Sequence, residues 1–328
     1  MESPTTPPGG IRGGALTAKL HDAVVRWFAA EARDLPWRDP RCSPWGVLVS
    51  EVMLQQTPVV RVLPVWREWM ERWPRPADLA AESAGDAVRA WGRLGYPRRA
   101  LRLHAAATVI ATEHDGELPD SEDGLLALPG VGGYTAAAVA AFAFGRRASV
   151  VDTNIRRVHA RLVSGDALPA PALTAAERRL AEALLPDDDA TSVRWNAGVM
   201  ELGALICTAR SPKCSMCPVA DECAWRAAGE PPPSYVPKGQ AWHGTDRQVR
   251  GAVMAVLRGA SRPVPRVVLD GLATAQPVTA LTEGSATSPE LARLHALAPA
   301  PEQLERCIAG LLADGLAVEL TGGLALPH

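Results

Sequence analysis

The chain has 328 residues, and 34 lysines and arginines nearly balance 36 aspartates and glutamates, so the formal net charge at pH 7 is −2. This balance excludes a global basic field for nucleic acid, although arginines cluster locally at 89–102 and 156–161. Hydrophobic residues make up 47% of the chain, enough for two or three packed domains, and no apolar run could cross a membrane without a charge or a proline.

The first two thirds of the chain are predicted to be helical. Residues 1–14 are rich in proline, glycine and threonine, and we expect a disordered tail there. Apolar residues then recur at helical spacing from Leu16 to Phe28. Residues 44–148 are typical of several short helices separated by proline and glycine, and three more helices lead to Cys207. The pattern predicts a mainly all-α body.

A proline-rich segment separates this body from a small C-terminal part. Residues 227–241 contain four prolines and are predicted to be a linker. Residues 242–328 hold two helical patterns and then a hairpin pattern around Thr321-Gly322-Gly323, which predicts a winged-helix-like α+β domain. Its second helix carries Glu302 and Glu305, which favours a structural role or docking to an unidentified protein partner over DNA recognition.

Four of the six cysteines lie in one short run with the spacing C-x6-C-x2-C-x5-C. They are the candidate metal ligands Cys207, Cys214, Cys217 and Cys223. Ligation by four thiolates is typical of an iron–sulfur cluster or zinc. Zinc ribbons usually pair two short C-x2-4-C knuckles, and this run has one, which favours a [4Fe–4S] cluster. The thiols need a reducing compartment, so we expect a cytoplasmic protein, associated with the nucleoid in a bacterium.

A glycine-rich segment at 128–134 lies between two helical stretches. Gly130, Gly132 and Gly133 allow a tight turn, and the next helix offers free backbone N–H groups to an anion. This is the pattern of a helix–hairpin–helix, which grips a DNA phosphate without a basic side chain. An ordinary glycine-rich connection between helices is the alternative. The arginine clusters could also bind phosphates, or they could be solvated helix faces.

The hairpin, Asp152 and the cysteine run together resemble the helix–hairpin–helix (endonuclease III-like) superfamily of DNA glycosylases over residues 16–225. Within it, Leu35-Pro36-Trp37-Arg38 and Ser50-Glu51-Val52-Met53-Leu54-Gln55-Gln56-Thr57 are similar to the MutY-type adenine glycosylases. The resemblance implies a [4Fe–4S] cluster domain (15–43 plus 149–226), a six-helix barrel domain (44–148) and a monomeric protein. It implies removal of adenine mispaired with guanine or 8-oxoguanine in double-stranded DNA. The chain resembles a short form that lacks a Nudix-like C-terminal domain.

Two carboxylates are the candidate catalytic residues. Adenine is a poor leaving group until it is protonated, and Glu51 among apolar neighbours is the candidate acid at N7. Bond cleavage leaves an oxocarbenium-like sugar, which an ionised Asp152 could stabilise. A surface carboxylate and a helix N-cap are the alternatives for the two residues. By family analogy, Asn154 positions Asp152 or the water.

The residue at position 134 separates two enzyme classes. The related endonuclease III family carries a lysine there that forms a Schiff base, whereas this chain has Tyr134 and no lysine between Lys19 and Lys213. We therefore expect a monofunctional glycosylase in which Tyr134 hydrogen-bonds Asp152 and lines the pocket.

The resemblance and the cysteine-run loop also suggest DNA-binding residues. Gln56 is expected to wedge into the base stack beside the flipped nucleotide, and Tyr96 to stack from the other side. The further candidates for contacts with substrate or DNA are Arg33, Trp37, Arg38, Gln55, Thr57, Arg210 and Lys213. Two alternatives stay open: a thymine or uracil mismatch glycosylase on the same fold, and a non-catalytic iron–sulfur protein that binds DNA.

Overall fold

The computed structural model describes residues 14–236, 239, 241–271 and 287–328, so the predicted N-terminal tail lies almost wholly outside the described residues. The described chain is mainly helical, which confirms the predicted all-α class. The first helices are α1 (Gly14–Glu31), α2 (Pro44–Leu54), α3 (Val59–Arg72), α4 (Pro76–Ala80), α5 (Ala84–Trp91), α6 (Arg98–Glu113), α7 (Glu122–Ala127) and α8 (Gly133–Phe144). They are followed by α9 (Thr153–His159), α10 (Ala175–Ala183), α11 (Asp189–Leu205), α12 (Ala224–Ala227), α13 (Asp246–Gly259), α14 (Arg266–Leu269), α15 (Thr287–Ala296) and α16 (Pro301–Ala313).

No helix of the described ranges is long and apolar enough to span a membrane.

The chain divides into two compact units. Unit 1 contains Met1–Glu51, Pro119–Ala127 and Val131–Lys238, and unit 2 contains Val52–Leu118, Leu128–Gly130 and Gly239–His328. This division differs from the predicted domains, because residues 239–328 join the barrel helices α3–α6 in unit 2. The backbone N–H of Gly85 in α5 donates to the Pro327 carbonyl at 2.8 Å, so the end of the chain is part of that unit.

The C-terminal segment contains the predicted hairpin, and its winged-helix-like fold stays a prediction. Strand β1 (Val318–Leu320) pairs antiparallel with β2 (Gly323–Ala325), and Val264 forms an isolated bridge with Leu324. The turn needs glycine, because Gly322 and Gly323 have φ angles of 103° and 142°. The α15 helix was not predicted, because residues 259–299 lack a clear period.

Unit 1 is built around α11, which packs against α1 and α9. Glycine allows the close approach on both sides: a Cβ on Gly198 would lie 2.8 Å from a methyl carbon of Val24, and one on Gly203 would lie 2.7 Å from the Cβ of Asn154. The Gly203 Cβ would also lie 2.9 Å from the Asn154 carbonyl oxygen. Because backbone atoms cannot move aside cheaply, Gly203 fixes the position of the α9 N-terminus.

We expect Gly203→Ala to destabilise the protein by about 1–3 kcal/mol, the usual cost of overpacking a tight contact. Thermal unfolding measures this change. Gly251→Ala in α13 is the matched control, since a Cβ there meets only one side-chain atom of Trp242, at 4.0 Å. The control should gain about 0.5–1 kcal/mol from the better helix former. Equal effects of the two substitutions would contradict the packing argument.

Candidate active site

A buried carboxylate and a tyrosine form the centre of the site. Glu51 lies near the end of α2 with only 5% of its surface exposed. Its Oε2 accepts a hydrogen bond from the Tyr134 hydroxyl at 2.8 Å. Burial raises the pKa of Glu51 to about 7; Asp152 adds to the rise, while Tyr134 and Arg38 oppose it. Glu51 can therefore hold a proton near neutral pH, as an acid catalyst must.

The second carboxylate is fixed at the start of α9. Asp152 is its N-cap, and the side chain accepts from the backbone N–H of Ile155 at 2.6 Å and from the Asn154 amide at 2.8 Å. Burial raises the pKa of Asp152, and these N–H donors and Arg157 oppose the rise. Asp152 can therefore cap the helix and also act beside Glu51, because one carboxylate oxygen accepts from the Ile155 N–H and the other from the Asn154 amide.

The hydrogen-bond partner of Tyr134 differs from the one predicted. Its hydroxyl was expected to bind Asp152, but in the structure it donates to Glu51. Burial raises the pKa of Tyr134 well above its ordinary value, and both Glu51 and Asp152 add to the rise. The neutral phenol is therefore a hydrogen-bond donor and not a base.

Arg157 on α9 joins Asn154, the residue that bonds Asp152, to the cysteine run. Arg157 donates to the Asn154 side-chain oxygen at 2.8 Å, to the Gly203 carbonyl at 2.7 Å and to the Cys207 carbonyl at 2.7 Å. Asn154 is thereby oriented with its amide toward Asp152. The predicted positioning role of Asn154 agrees with this geometry.

The four cysteines of the run lie close enough to affect one another. Burial raises the pKa of Cys217 to about 11, and the other three thiols of the run add to the rise. Four thiols in one short loop are the donor set of an iron–sulfur centre, which binds them as thiolates. Arg161 donates to the Cys207 sulfur at 3.4 Å, and its guanidinium lies 4.8 Å from the Trp225 ring centroid. Arg210 and Lys213, predicted to meet DNA, lie in the loop between the first two cysteines, and both are exposed.

Arg33 and Arg38 serve a different partner from the one predicted. Both were candidates for substrate contact, but Arg33 donates to both oxygens of Glu201 at 2.7 Å, and Arg38 donates to one at 2.9 Å. Glu201 is fully buried. Burial opposes its ionisation, yet the two arginines hold its pKa at about 2. Trp37, which lies between the two arginines in sequence, is buried.

Two exposed residues of unit 2 stand in left-handed backbone conformations. Gln56 has φ 55° and Tyr96 has φ 47°, and 51% of the Tyr96 surface is exposed. Their contact with DNA stays a prediction. Thr57, also a candidate for DNA contact, is buried, and its hydroxyl lies 3.2 Å from the carbonyls of Leu94 and Gln55. Its role is to join two loops.

The hairpin glycines have distinct local environments. Gly130 has φ 76°, and a Cβ there would lie 2.5 Å from the Cβ of Arg102. Gly132 is the N-cap of α8, and Cβ atoms on Gly132 or Gly133 would meet no atom within 4 Å. The space around these two glycines is therefore open, and an anion at the start of α8 stays a prediction.

Unit 2 also contains a groove of about 970 Å³ that joins barrel residues to the C-terminal helices. Gln55, Gln56 and Tyr96 lie along it. Its acidic lining residues are Glu290 and Asp314. Its basic lining residues are Arg61, Arg93, Arg98, Arg99, Arg102, Arg247, Arg250, Arg258 and Arg293. We call this feature the arginine groove; its excess of positive charge was invisible in the net charge of −2.

Sequence reasoning missed Glu201 and the internal roles of Arg99 and Arg157, which it had considered only as members of arginine clusters. Each has partners more than 40 positions away, so no local motif marks these bonds. Only the scarcity of lysine, with arginine at most basic positions, could have indicated internal guanidinium bonds.

Comparisons with known proteins agree with this geometry. Residues 49–183 match the family model described as HhH-GPD superfamily base excision DNA repair protein, and residues 207–223 match the iron-sulfur binding domain of endonuclease III. The chain is 47% identical to "Adenine DNA glycosylase" of Mycobacterium tuberculosis, over 93% of this chain and 92% of that protein.

Two solved structures have the same fold. "Structure of a thermostable thymine-DNA glycosylase" is 27% identical with a TM-score of 0.56, over 65% of this chain and 97% of that one. A trapped endonuclease III–DNA covalent intermediate is 23% identical with a TM-score of 0.57, over 67% of this chain and 99% of that one. The second likeness concerns the fold alone.

We expect Glu201→Gln to lower the free energy of unfolding by about 3 kcal/mol, because it leaves Arg33 and Arg38 without their shared anion. Folding lowers the pKa of Glu201 from 4.5 to about 2. The wild type should therefore lose this stability as the pH falls from about 4.5 toward 2, and the variant should lose less. Urea unfolding between pH 2.5 and 7 measures both.

Glu305→Gln is the control, because Glu305 is 63% exposed in its pair with Arg266. An exposed pair contributes about 0–1 kcal/mol. Identical pH profiles for wild type and Glu201→Gln would contradict the assignment.

Proposed function

The chain belongs to the adenine DNA glycosylases of the helix–hairpin–helix base-excision repair superfamily and binds a [4Fe–4S] cluster, and we propose that it excises adenine mispaired with guanine or 8-oxoguanine. Excision is by hydrolysis alone, without strand cleavage. The observation that carries the proposal is the Glu51–Tyr134–Asp152 constellation, in which one carboxylate is protonated near pH 7 and its neighbour is fixed at a helix N-terminus.

The reaction begins with proton transfer from Glu51 to N7 of the flipped adenine. Protonation makes the base a competent leaving group, and a pKa of about 7 matches the acid to neutral pH. The base departs with the electron pair of the glycosidic bond and leaves positive charge on the sugar. Asp152, held by the Ile155 N–H and the Asn154 amide, stabilises that charge until water adds at C1′. The attacking water then loses a proton, which restores the Glu51 carboxyl.

Cys207, Cys214, Cys217 and Cys223 would hold the cluster, which would supply no step of this hydrolysis. It would fix the loop that presents Arg210 and Lys213, and we assign both to phosphate contacts. Arg157 and Arg161 tie this loop to α9 through the carbonyls of Cys207 and Thr208.

A thymine or uracil mismatch glycosylase is the runner-up, supported by the solved thymine-DNA glycosylase that shares the fold. Identity favours adenine, since the mycobacterial relative is 47% identical over nearly the whole chain. A raised Glu51 pKa also suits a base that must be protonated before it leaves.

Base release under single-turnover conditions tests the function. Duplexes would carry adenine opposite 8-oxoguanine, guanine or thymine, and uracil or thymine opposite guanine, each analysed with and without alkali. We expect release of adenine opposite either guanine form, with nicking only after alkali. Asp152→Asn should bind the same duplex and release base at least about 100-fold more slowly, since it removes the charge that stabilises the sugar cation. Release of thymine or uracil alone would overturn the proposal.

We expect the rate of base release to fall as the pH rises through about 7, because Glu51 must be protonated. Tyr134→Phe removes a hydrogen bond that lowers the pKa of Glu51. The variant's profile should therefore shift to higher pH, and its rate relative to wild type should be greatest at alkaline pH. Single-turnover rates between about pH 5.5 and 9 measure the shift. A shift to lower pH would contradict the assignment of the acid.

We assign the exposed arginines of the arginine groove, which do not include the buried Arg99, to the DNA backbone. Phosphates are the polyanion that its excess of guanidinium groups suits, and Gln56 and Tyr96 along the same groove are the residues expected at the base stack. Arg247 and Arg293 come from the C-terminal segment, so this segment takes part in DNA binding despite the acids of α16. An additional protein partner of the segment stays a prediction.

Arg93→Gln and Arg102→Gln should weaken binding to any duplex, because both side chains are exposed on the groove. Removal of one phosphate-binding cation should reduce the magnitude of the slope of log K against log[salt] by about 0.9. Fluorescence anisotropy at several salt concentrations measures the slope. Arg306→Gln is the control, since Arg306 pairs with Asp246 away from the groove lining. An unchanged slope in both groove variants would refute the assignment.

A further inference from the structure

One arginine of unit 2 holds together the two loops that carry Gln56 and Tyr96. Arg99 lies in the first turn of α6 with 6% of its surface exposed. Its Nη1 donates to the carbonyls of Val52, Met53 and Gln55 at 2.8, 3.0 and 2.6 Å.

The other terminal nitrogen of Arg99 reaches the second loop. Its Nη2 donates to the Gly95 carbonyl at 3.0 Å and to the Thr57 hydroxyl at 3.0 Å. The guanidinium carbon lies 5.0 Å from the Trp91 ring centroid and 5.8 Å from that of Tyr96. One planar group thus bonds the loop after α2 and the loop before α6 at the same time.

The three carbonyls on Nη1 belong to the end of α2 and the residue that follows it. The last four carbonyls of a helix lack partners within the helix and carry the negative end of its dipole. A buried cation that accepts nothing and donates several hydrogen bonds is suited to this position. Burial lowers the pKa of Arg99 to about 10, so it stays charged at neutral pH.

Both loops need such support because each contains a strained residue. Gln56 and Tyr96 have positive φ angles, and a non-glycine residue in this region costs about 1–3 kcal/mol that the surrounding structure must offset. The hydrogen bonds to Gln55 and Gly95 fall directly beside the two strained positions. The side chains themselves stay exposed toward solvent.

We propose that Arg99 is a positioning residue for base flipping: it fixes the two loops so that Gln56 and Tyr96 enter the duplex from a preset geometry. The inference rests on the proposed function, because it takes those two side chains as the groups that replace the flipped base. Arg99 itself does not touch the DNA. A loop that is already ordered in the free protein avoids the entropic cost of being ordered when its side chain inserts into the duplex.

Arg99→Lys tests the proposal. Lysine keeps the charge but cannot bridge so many acceptors with a planar fork. We expect the variant to fold, to bind undamaged duplex as wild type does, and to keep the pH midpoint assigned to Glu51. The single-turnover rate of adenine release should fall at least about tenfold, as is typical when a positioning group is removed. Fluorescence of 2-aminopurine placed beside the target adenine, which reports unstacking, should rise less on binding than with wild type.

A double-mutant cycle separates positioning from general loss of structure. In a Gln56→Ala, Tyr96→Ala background the Arg99→Lys change should have little further effect on the rate, because the residues through which it acts are gone. Additive losses would overturn the proposal. Arg147→Lys is the control: this arginine joins the Pro186 carbonyl to Glu182 and should leave unstacking unchanged.

If Arg99→Lys does not fold, a second variant tests the proposal. In that case Thr57→Val, which replaces by a methyl group the hydroxyl that accepts from Nη2 and contacts the Leu94 carbonyl, should reduce both unstacking and rate, each by less than is expected for Arg99→Lys. Unaltered unstacking and rate in a folded Arg99→Lys or Thr57→Val protein would refute the positioning role. If the wild type unstacks the duplex but releases no adenine, the proposed function fails while the loop measurement still stands.

Discussion

The cost of burying charge is the constraint on which this molecule's chemistry depends. Glu51 and Glu201 are the same residue type, and both lie within one compact unit with almost no exposed surface. Glu201 receives two arginines and has a pKa of about 2, whereas Glu51 receives a phenol and has a pKa of about 7. One glutamate therefore stays an anion that joins structural elements, and the other can carry a proton to a substrate. Their roles follow from their neighbours, not from their identity.

Arginine supplies most of the long-range polar bonds around the site. Arg33 and Arg38 reach α11 from the segment after α1, Arg157 reaches the first cysteine of the run, and Arg99 reaches the end of α2. A planar fork with five donors can satisfy several carbonyls at once, which a lysine cannot. The chain has three lysines, so its arginine content is a structural property as well as a means of binding phosphate.

The sequence allowed prediction of the chemistry better than of the supports around it. Glu51, Asp152 and the four cysteines lie in segments that resemble a known family, so they could be proposed as functional residues without a structure. Most of the longer helices also agree with the apolar period. Glu201 and Arg99 could not be found, because their partners are distant along the chain. Arg33 and Thr57 lie in or near motifs that suggested DNA contact, yet both are committed to internal bonds.

The residue at position 134 illustrates why one fold supports two chemistries. Tyr134 donates a hydrogen bond to Glu51 and stays neutral, so the carboxyl keeps a pKa of about 7. A lysine in this place would put an ammonium group beside the carboxyl and favour its ionised form. That change would create a nucleophilic amine and at the same time remove the proton that adenine needs. In the proposed mechanism, monofunctional excision and acid catalysis by Glu51 are therefore linked through one side chain, and each depends on the absence of a cation from this position.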